Sequence, residues 1–494
     1  MRNLLTWLFG GRASSSLPTA SAIFDTYSLF ARYNFTLEEM NRAAAIRYGE
    51  RLPDVTRAMF HELFHLYQTL ATPYGYYYYC LRDLQGALAS DAVRALQRIA
   101  PTKIRPPLIK LLRDAEIKRE AQDVFQALAF CYNAELLLLF LQSEFEVYLK
   151  AHQSPILPLQ TVGFRFLANE KCLVPLLQRA GRVFDYPGPQ LTETSAEKEG
   201  AILVMKLLGG VDVRHILESA ANVAEYWNHE VLPGGKIDHV DWAAERVKSY
   251  RPGYRDEKYW HLVLEAKNRL RRITNCNEFV YTYLAICDFA LNSPLLPFHA
   301  GLRRGYSEVW QLAPTALFYR LLIAAGDLTP IRELETDYER FIGELAEATS
   351  IASPVELARL TVRGLKYAPH DGVTQAFHYA QTVRAEAPWA FLDHRLWIGD
   401  PPNDIIAGLR AIFIHPVMQY KDKTLYHKNK DIVVFYTARF ILNTYFRKLL
   451  FSGDMVINLP FRTTPSYLKS LHEEARSALH ATGVEGPDFS LRSA

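Results

Sequence analysis

The stretch DVTRAMFHELFHLYQTLATPYG, residues 54–75, decides how this chain reads. Pro53 and Asp54 suit the start of a helix, where a proline forfeits no hydrogen bond and an acid meets the positive end of the helix dipole. Pro73 and Gly75 close the run, so a helix is expected over 54–71. Inside it, HELFH puts His61 and His65 one turn apart on the same face. Zinc accepts two such ring nitrogens, a third ligand and an open position for water. Glu62, between them, is placed to act as general base on that water. The neighbours Met59, Phe60, Leu63, Phe64, Leu66 and Tyr67 are apolar, and histidines in such surroundings need a partner. A metal is one; a hydrogen bond to backbone or to Glu is the plainer other. Gln68 shares the face of His65 and can bond to a ligand or simply pack.

Position 71 is Ala, so HExxHxxGxxH is absent and a third ligand must come from elsewhere. The first candidate is Glu199 in TETSAEKEGAILVMKLLGG (192–210), just ahead of Ile202 and Leu203 and beside the small Gly200 and Ala201. Glu193 is the second and Glu135, which interrupts an apolar run before LLLLFL, the third; a histidine stays open.

The segment HELFHLYQTLATPYG resembles the HExxHxxQ segment of a loose group of bacterial zincin-like proteins of gluzincin type. In that group it is paired with a distal helix carrying an Ile/Leu-x-Glu-x-x-Ala pattern, and with later DxALN-P and W…P…R segments. The corresponding stretches are EGAI at 199–202, CDFALNSP at 287–294 and WQLAPTALFYR at 310–320. EGAI departs from the pattern, with Ala two residues after Glu199, whereas Glu193 has Ala at the third position. The resemblance touches residues 55–320 in patches. The resemblance implies a metallopeptidase-like fold and no known substrate, while the HExxH reading itself calls for a Zn2+ cofactor and a protein or peptide substrate.

The remainder of the 494 residues reads as mainly α with a small β element, an α+β fold. Helical periodicity is expected over 118–151, 195–208, 213–230, 240–250, 258–272, 276–291, 308–325, 330–349, 354–364, 372–386, 403–414, 431–450 and 464–481. Strands are expected within 21–34 and 411–419. Residues 1–20 are expected to form an amphipathic or disordered leader, 21–300 a zincin-like core with a helical insertion around 85–185, and 301–494 a helical C-terminal region.

Composition narrows the function classes. Hydrophobic residues make up 49% and charged residues 22%, ordinary for a globular protein. Fifty-six basic residues nearly balance 53 acidic ones, a net charge of +3, which gives no reason to expect nucleic acid. The basic residues at 267–272 and 421–430 read as solvated faces. Five cysteines with no CxxC fit a reducing, cytoplasmic compartment, with secretion the minor reading of MRNLLTWLFGGRASSS. The longest apolar stretch, 279–298, is broken by Asp288, Asn292, Pro294 and Pro297, so no spanning helix is expected. No Walker loop, GxGxxG or GxSxG occurs. Two functions compete: zinc-dependent peptide hydrolysis, and a non-catalytic helical interaction or effector protein in which the HExxH site is structural or degenerate. No oligomeric state is implied.

Overall fold

The chain follows its hydrophobic periodicity into a mainly helical fold with short strands. The computed structural model describes residues 22–25, 30–43, 54–142, 183–184, 211, 213–227, 255–292, 314–366, 372–393, 403–412, 417–419, 425–426 and 430–493. In order, the elements are β1 (Ala22–Asp25), β2 (Phe30–Tyr33), α1 (Leu37–Ala43), α2 (Asp54–Ala71), α3 (Pro73–Ile99), α4 (Ala115–Glu120), α5 (Gln122–Gln142) and β3 (Val183–Phe184). There follow α6 (Val213–Tyr226), α7 (Arg255–Arg269), α8 (Cys276–Leu291), α9 (Pro314–Ala325), α10 (Leu334–Thr349), α11 (Pro354–Gly364), β4 (Leu365–Lys366) and α12 (Gly372–Glu386). The last are α13 (Asp404–Ile412), β5 (Val417–Gln419), β6 (Leu425–Tyr426), α14 (Lys430–Phe451), β7 (Val456–Asn458), α15 (Pro465–Ala481) and β8 (Ser490–Arg492). Among the described residues, no helix is long and apolar enough to cross a membrane.

The chain forms two compact units. One gathers residues 1–41, 79–138 and 415–494. Its sheet runs β1-β2-β5-β6, with β1 and β2 antiparallel, β2 and β5 parallel and β5 and β6 antiparallel; β7 and β8 pair in parallel. Phe30 of β2 stacks on Phe461, ring centroids 5.1 Å apart, in a core shared with Leu96, Leu128, Leu449 and Ile457. Inside that unit Glu135 is buried against cations. Arg82 donates to it at 2.7 Å, Arg447 at 2.9 Å and the Gln85 amide at 3.0 Å.

The other unit holds residues 42–78 and 139–414. Helix α8 lies in its core, buried along nearly its whole length. Its Asp288 carboxylate accepts from the Tyr67 hydroxyl of α2 at 2.6 Å and from Tyr338 of α10 at 3.2 Å. Arg384 of α12, fully buried, donates to both oxygens of Asp288. Burial and the Asp288 charge push both tyrosine hydroxyls well above the ordinary phenol range, so they remain donors. Gln381 of α12 donates to the Ala71 carbonyl at 2.9 Å, satisfying one of the open acceptors at the end of α2. Tyr76 lies flat on Phe377, ring centroids 4.0 Å apart, and bonds to Thr374 at 2.9 Å.

Pro73 and Gly75 end α2 as expected, but they also open α3. Thr72 accepts the Gly75 N–H at 3.1 Å, which makes it the N-cap of a helix whose first residue is Pro73. The turn is tight: a Cβ on Gly75 would lie 2.4 Å from the Thr69 backbone and 2.5 Å from the Gln68 carbonyl.

Two outcomes follow from the buried charges. Asp288→Asn leaves the Arg384 guanidinium inside without a counter-charge and is expected to cost roughly 3–5 kcal/mol, read by chemical denaturation. Burial raises the pKa of Glu135, but Arg447 and Arg82 bring it from 4.5 down to about 2. Its ionised form therefore stabilises the fold above about pH 4.5, and that contribution is lost as pH falls toward 2. The stability gap between the wild type and Glu135→Gln should be widest near neutrality and should close in acid; a gap independent of pH would contradict this.

Candidate metal centre

Helix α2 carries the two histidines of HELFH one turn apart, and their rings meet edge to face with centroids 4.8 Å apart. Helix α6 packs on this face. Its Ile216, Ala220, Val223 and Ala224 are buried, and the small Ser219, Ala220 and Ala221 permit a close approach. Glu218 and Glu225 lie two turns apart on α6 and both reach the histidines. His61 Nε2 and His65 Nε2 are 3.1 Å apart, and Glu218 Oε2 is 3.5 Å from each. One ligand atom from each of His61, His65 and Glu218 lies within 4.8 Å of the others, a cluster able to hold a metal ion.

The outer ring nitrogens are held in place. His61 Nδ1 lies 2.9 Å from Glu225 Oε2, while Arg57 grips Glu225 Oε1 at 2.5 Å. His65 Nδ1 lies 2.8 Å from Gln68 Oε1. The Gln68 amide donates through Nε2 to the Leu217 carbonyl at 3.1 Å, which fixes its oxygen toward His65. Both Nδ1 atoms thus face acceptors and carry the protons, an assignment made from the hydrogen-bond network. Both Nε2 lone pairs then point at each other and at a carboxylate. With both rings neutral, three acceptors would face one another and repel, and a proton on one Nε2 or a metal ion at their centre removes the conflict. The donor set, two imidazoles and one carboxylate with their outer atoms anchored, can hold a divalent metal ion.

The electrostatics agree. Burial opposes a charge on His61, yet Glu218 and Glu225 hold its pKa well above the usual imidazole range, with Glu62 adding to the field. Burial likewise works to raise the pKa of Glu218, but His65 and His61 hold it well below the usual carboxylate range. The centre attracts positive charge, whether as a proton or as a metal ion. Glu62 is buried on α2 next to His61.

Of the sequence candidates, His61, His65 and Gln68 are brought together. Glu199 and Glu193 lie outside the described residues. Glu135 belongs to the other unit, held by Arg82 and Arg447. Just after the motif, Tyr74, Tyr76, Tyr78 and Tyr79 are buried.

Glu218 and Glu225 were not singled out from the sequence, although a helix was expected over 213–230. A signal was present. ILESAA at 216–221 fits Ile-x-Glu-x-x-Ala residue for residue, where EGAI falls one position short. The segment CDFALNSP contributes Asp288, the buried partner of Tyr67 on the motif helix. No family model matches the chain, and no curated protein or solved structure matches it either.

Purified protein dialysed against cobalt or zinc is expected to retain about one equivalent, and Glu218→Ala or His61→Ala to retain none. Glu225→Gln should keep the fold and weaken metal binding roughly 10–100-fold in chelator competition. Unchanged affinity in that variant would count against the orienting role of Glu225.

Proposed function

We propose that this chain is a zinc-dependent metallopeptidase. The observation that carries the reading is the convergence of the two Nε2 atoms and the Glu218 carboxylate, each imidazole anchored from behind, with the acid of HExxH buried beside them. His61, His65 and Glu218 would hold the ion; Glu218 takes the third place that the sequence reading assigned to Glu199. Zinc suits two imidazoles and a carboxylate better than magnesium or calcium, which prefer all-oxygen shells. When bound, it polarises a carbonyl and makes water acidic enough to attack at neutral pH.

The chain supplies the proton transfers. Glu62, ionised, accepts the proton of the attacking water and returns it to the leaving amine nitrogen. Glu225 and Gln68 keep the imidazoles oriented throughout, since neither ring can turn without giving up a hydrogen bond. The zincin-like and gluzincin-type assignment rests on HExxH followed by a distal helical Glu, in the order that the resemblance implies. A cytoplasmic setting is supported by Cys131, Cys276 and Cys287, which are free and buried.

Glu62→Gln separates catalysis from metal binding. With a fluorogenic peptide library as substrate, turnover is expected to fall at least about a hundredfold while zinc content stays at the wild-type level. Normal turnover in Glu62→Gln would rule out the mechanism. A wild type that takes up no metal would favour the other class, an interaction or effector protein with a degenerate site.

A further inference from the structure

Glu218 faces two ways. Its Oε2 points to the histidines, and its Oε1 lies 3.9 Å from Nε of Arg214, one turn earlier on α6. Among the described residues, Glu218 is the partner of this guanidinium, and the Arg214 side chain is 58% exposed. As a stabilising contact the pair has little value. Exposed pairs contribute about 0–1 kcal/mol, and an Arg that precedes its Glu by four residues is in the less favourable order. The cation also sits in the first turn of α6, at the positive end of the helix dipole. The other guanidinium near the histidines, Arg57, is already committed to Glu225 at 2.5 Å. What the position of Arg214 provides is an accessible, planar cation one carboxylate away from the metal centre. Guanidinium pairs readily and bidentately with carboxylates.

We infer that Arg214 sets the substrate class of this centre, pairing with a substrate carboxylate next to the scissile bond. The site then selects peptides carrying an acidic group there, from a free C-terminus or from an Asp or Glu side chain. This rests on the metallopeptidase reading: once the charge of Glu218 is committed to an ion, Arg214 gives up the counter-charge it has among the described residues and is available to the substrate.

Hydroxamates that grip the metal test the inference without turnover. Malonyl monohydroxamate coupled to glycine is compared with its glycinamide counterpart, which isolates a terminal carboxylate. The aspartic acid α-amide is compared with the asparagine α-amide, which isolates a side-chain carboxylate. Calorimetric titration of the zinc-loaded full chain is expected to show the acid of at least one pair binding about tenfold tighter than its amide. The preference should vanish in Arg214→Gln and turn toward the amide in Arg214→Glu. Any effect of these substitutions on the metal itself shifts acid and amide alike and cancels in their ratio. Equal binding within both pairs by the wild type, or a preference that survives Arg214→Gln, overturns the inference while leaving the metal reading intact. No zinc uptake and no binding of any probe overturns both.

Discussion

The unit that carries the histidines is organised around one buried carboxylate. Asp288 sits in the last turn of α8 and takes hydrogen bonds from α2, α10 and α12 through Tyr67, Tyr338 and Arg384. Taking a carboxylate and a guanidinium out of water costs several kcal/mol per ion, and that cost is offset only when the remaining lone pairs and N–H groups are matched. Here two phenols and the Asn292 amide complete the carboxylate's shell, while among the described residues Arg384 Nε is left without a hydrogen-bond partner. The arrangement fixes helix α2 in rotation as well as position, because Tyr67 lies two residues from His65. Metal geometry tolerates errors of about half an ångström, so a helix bearing two ligands needs such an anchor. Arg57 and Glu225 hold α2 one turn before His61, and Gln381 holds its last carbonyl.

Two glutamates in this chain show how differently the same side chain can be used. Glu135 is surrounded by donors: two guanidiniums and an amide. Every interaction there favours the ionised carboxylate and nothing further is needed. Glu218 instead faces two imidazole nitrogens, each 3.5 Å away, whose rings already use their Nδ1 atoms on Glu225 and Gln68. A folded protein does not leave three lone-pair donors converging unless something positive belongs between them. The distinction between a structural and a functional acid lies in the polarity of its neighbours, not in its burial.

That distinction explains what could be read in advance. The bounds of α2, α8, α11 and α12 match the expected ranges at both ends, because Pro, Gly and polar caps mark them locally. HELFH was legible for the same reason, since its geometry needs only four residues of helix. Helix α3 was not, because Pro73 and Gly75 serve both as the stop of one helix and the start of the next, and only the Thr72 hydroxyl decides for a second helix. Glu218 was within an expected helix, but its meeting with His65 spans more than 150 positions, and nothing local reports on such a contact. Glu135, which looked like a ligand on an apolar face, could be recognised as an ion-pair partner only once Arg82 and Arg447 stood beside it.

The corner after the motif shows how closely fold and site are joined. Gly75 lies against the backbone of Gln68 and Thr69 so tightly that no side chain fits. Thr72 bonds to the Gln68 carbonyl at 2.6 Å while receiving the Gly75 N–H. Gln68 is therefore held through its backbone by the corner, while its side chain links His65 to the Leu217 carbonyl of α6. A shift of this corner moves Gln68, and Gln68 sets the plane of the His65 ring. The glycine that permits the turn and the amide that aims the histidine thus belong to one mechanical chain, which accounts for a motif that continues past HELFH to Gly75.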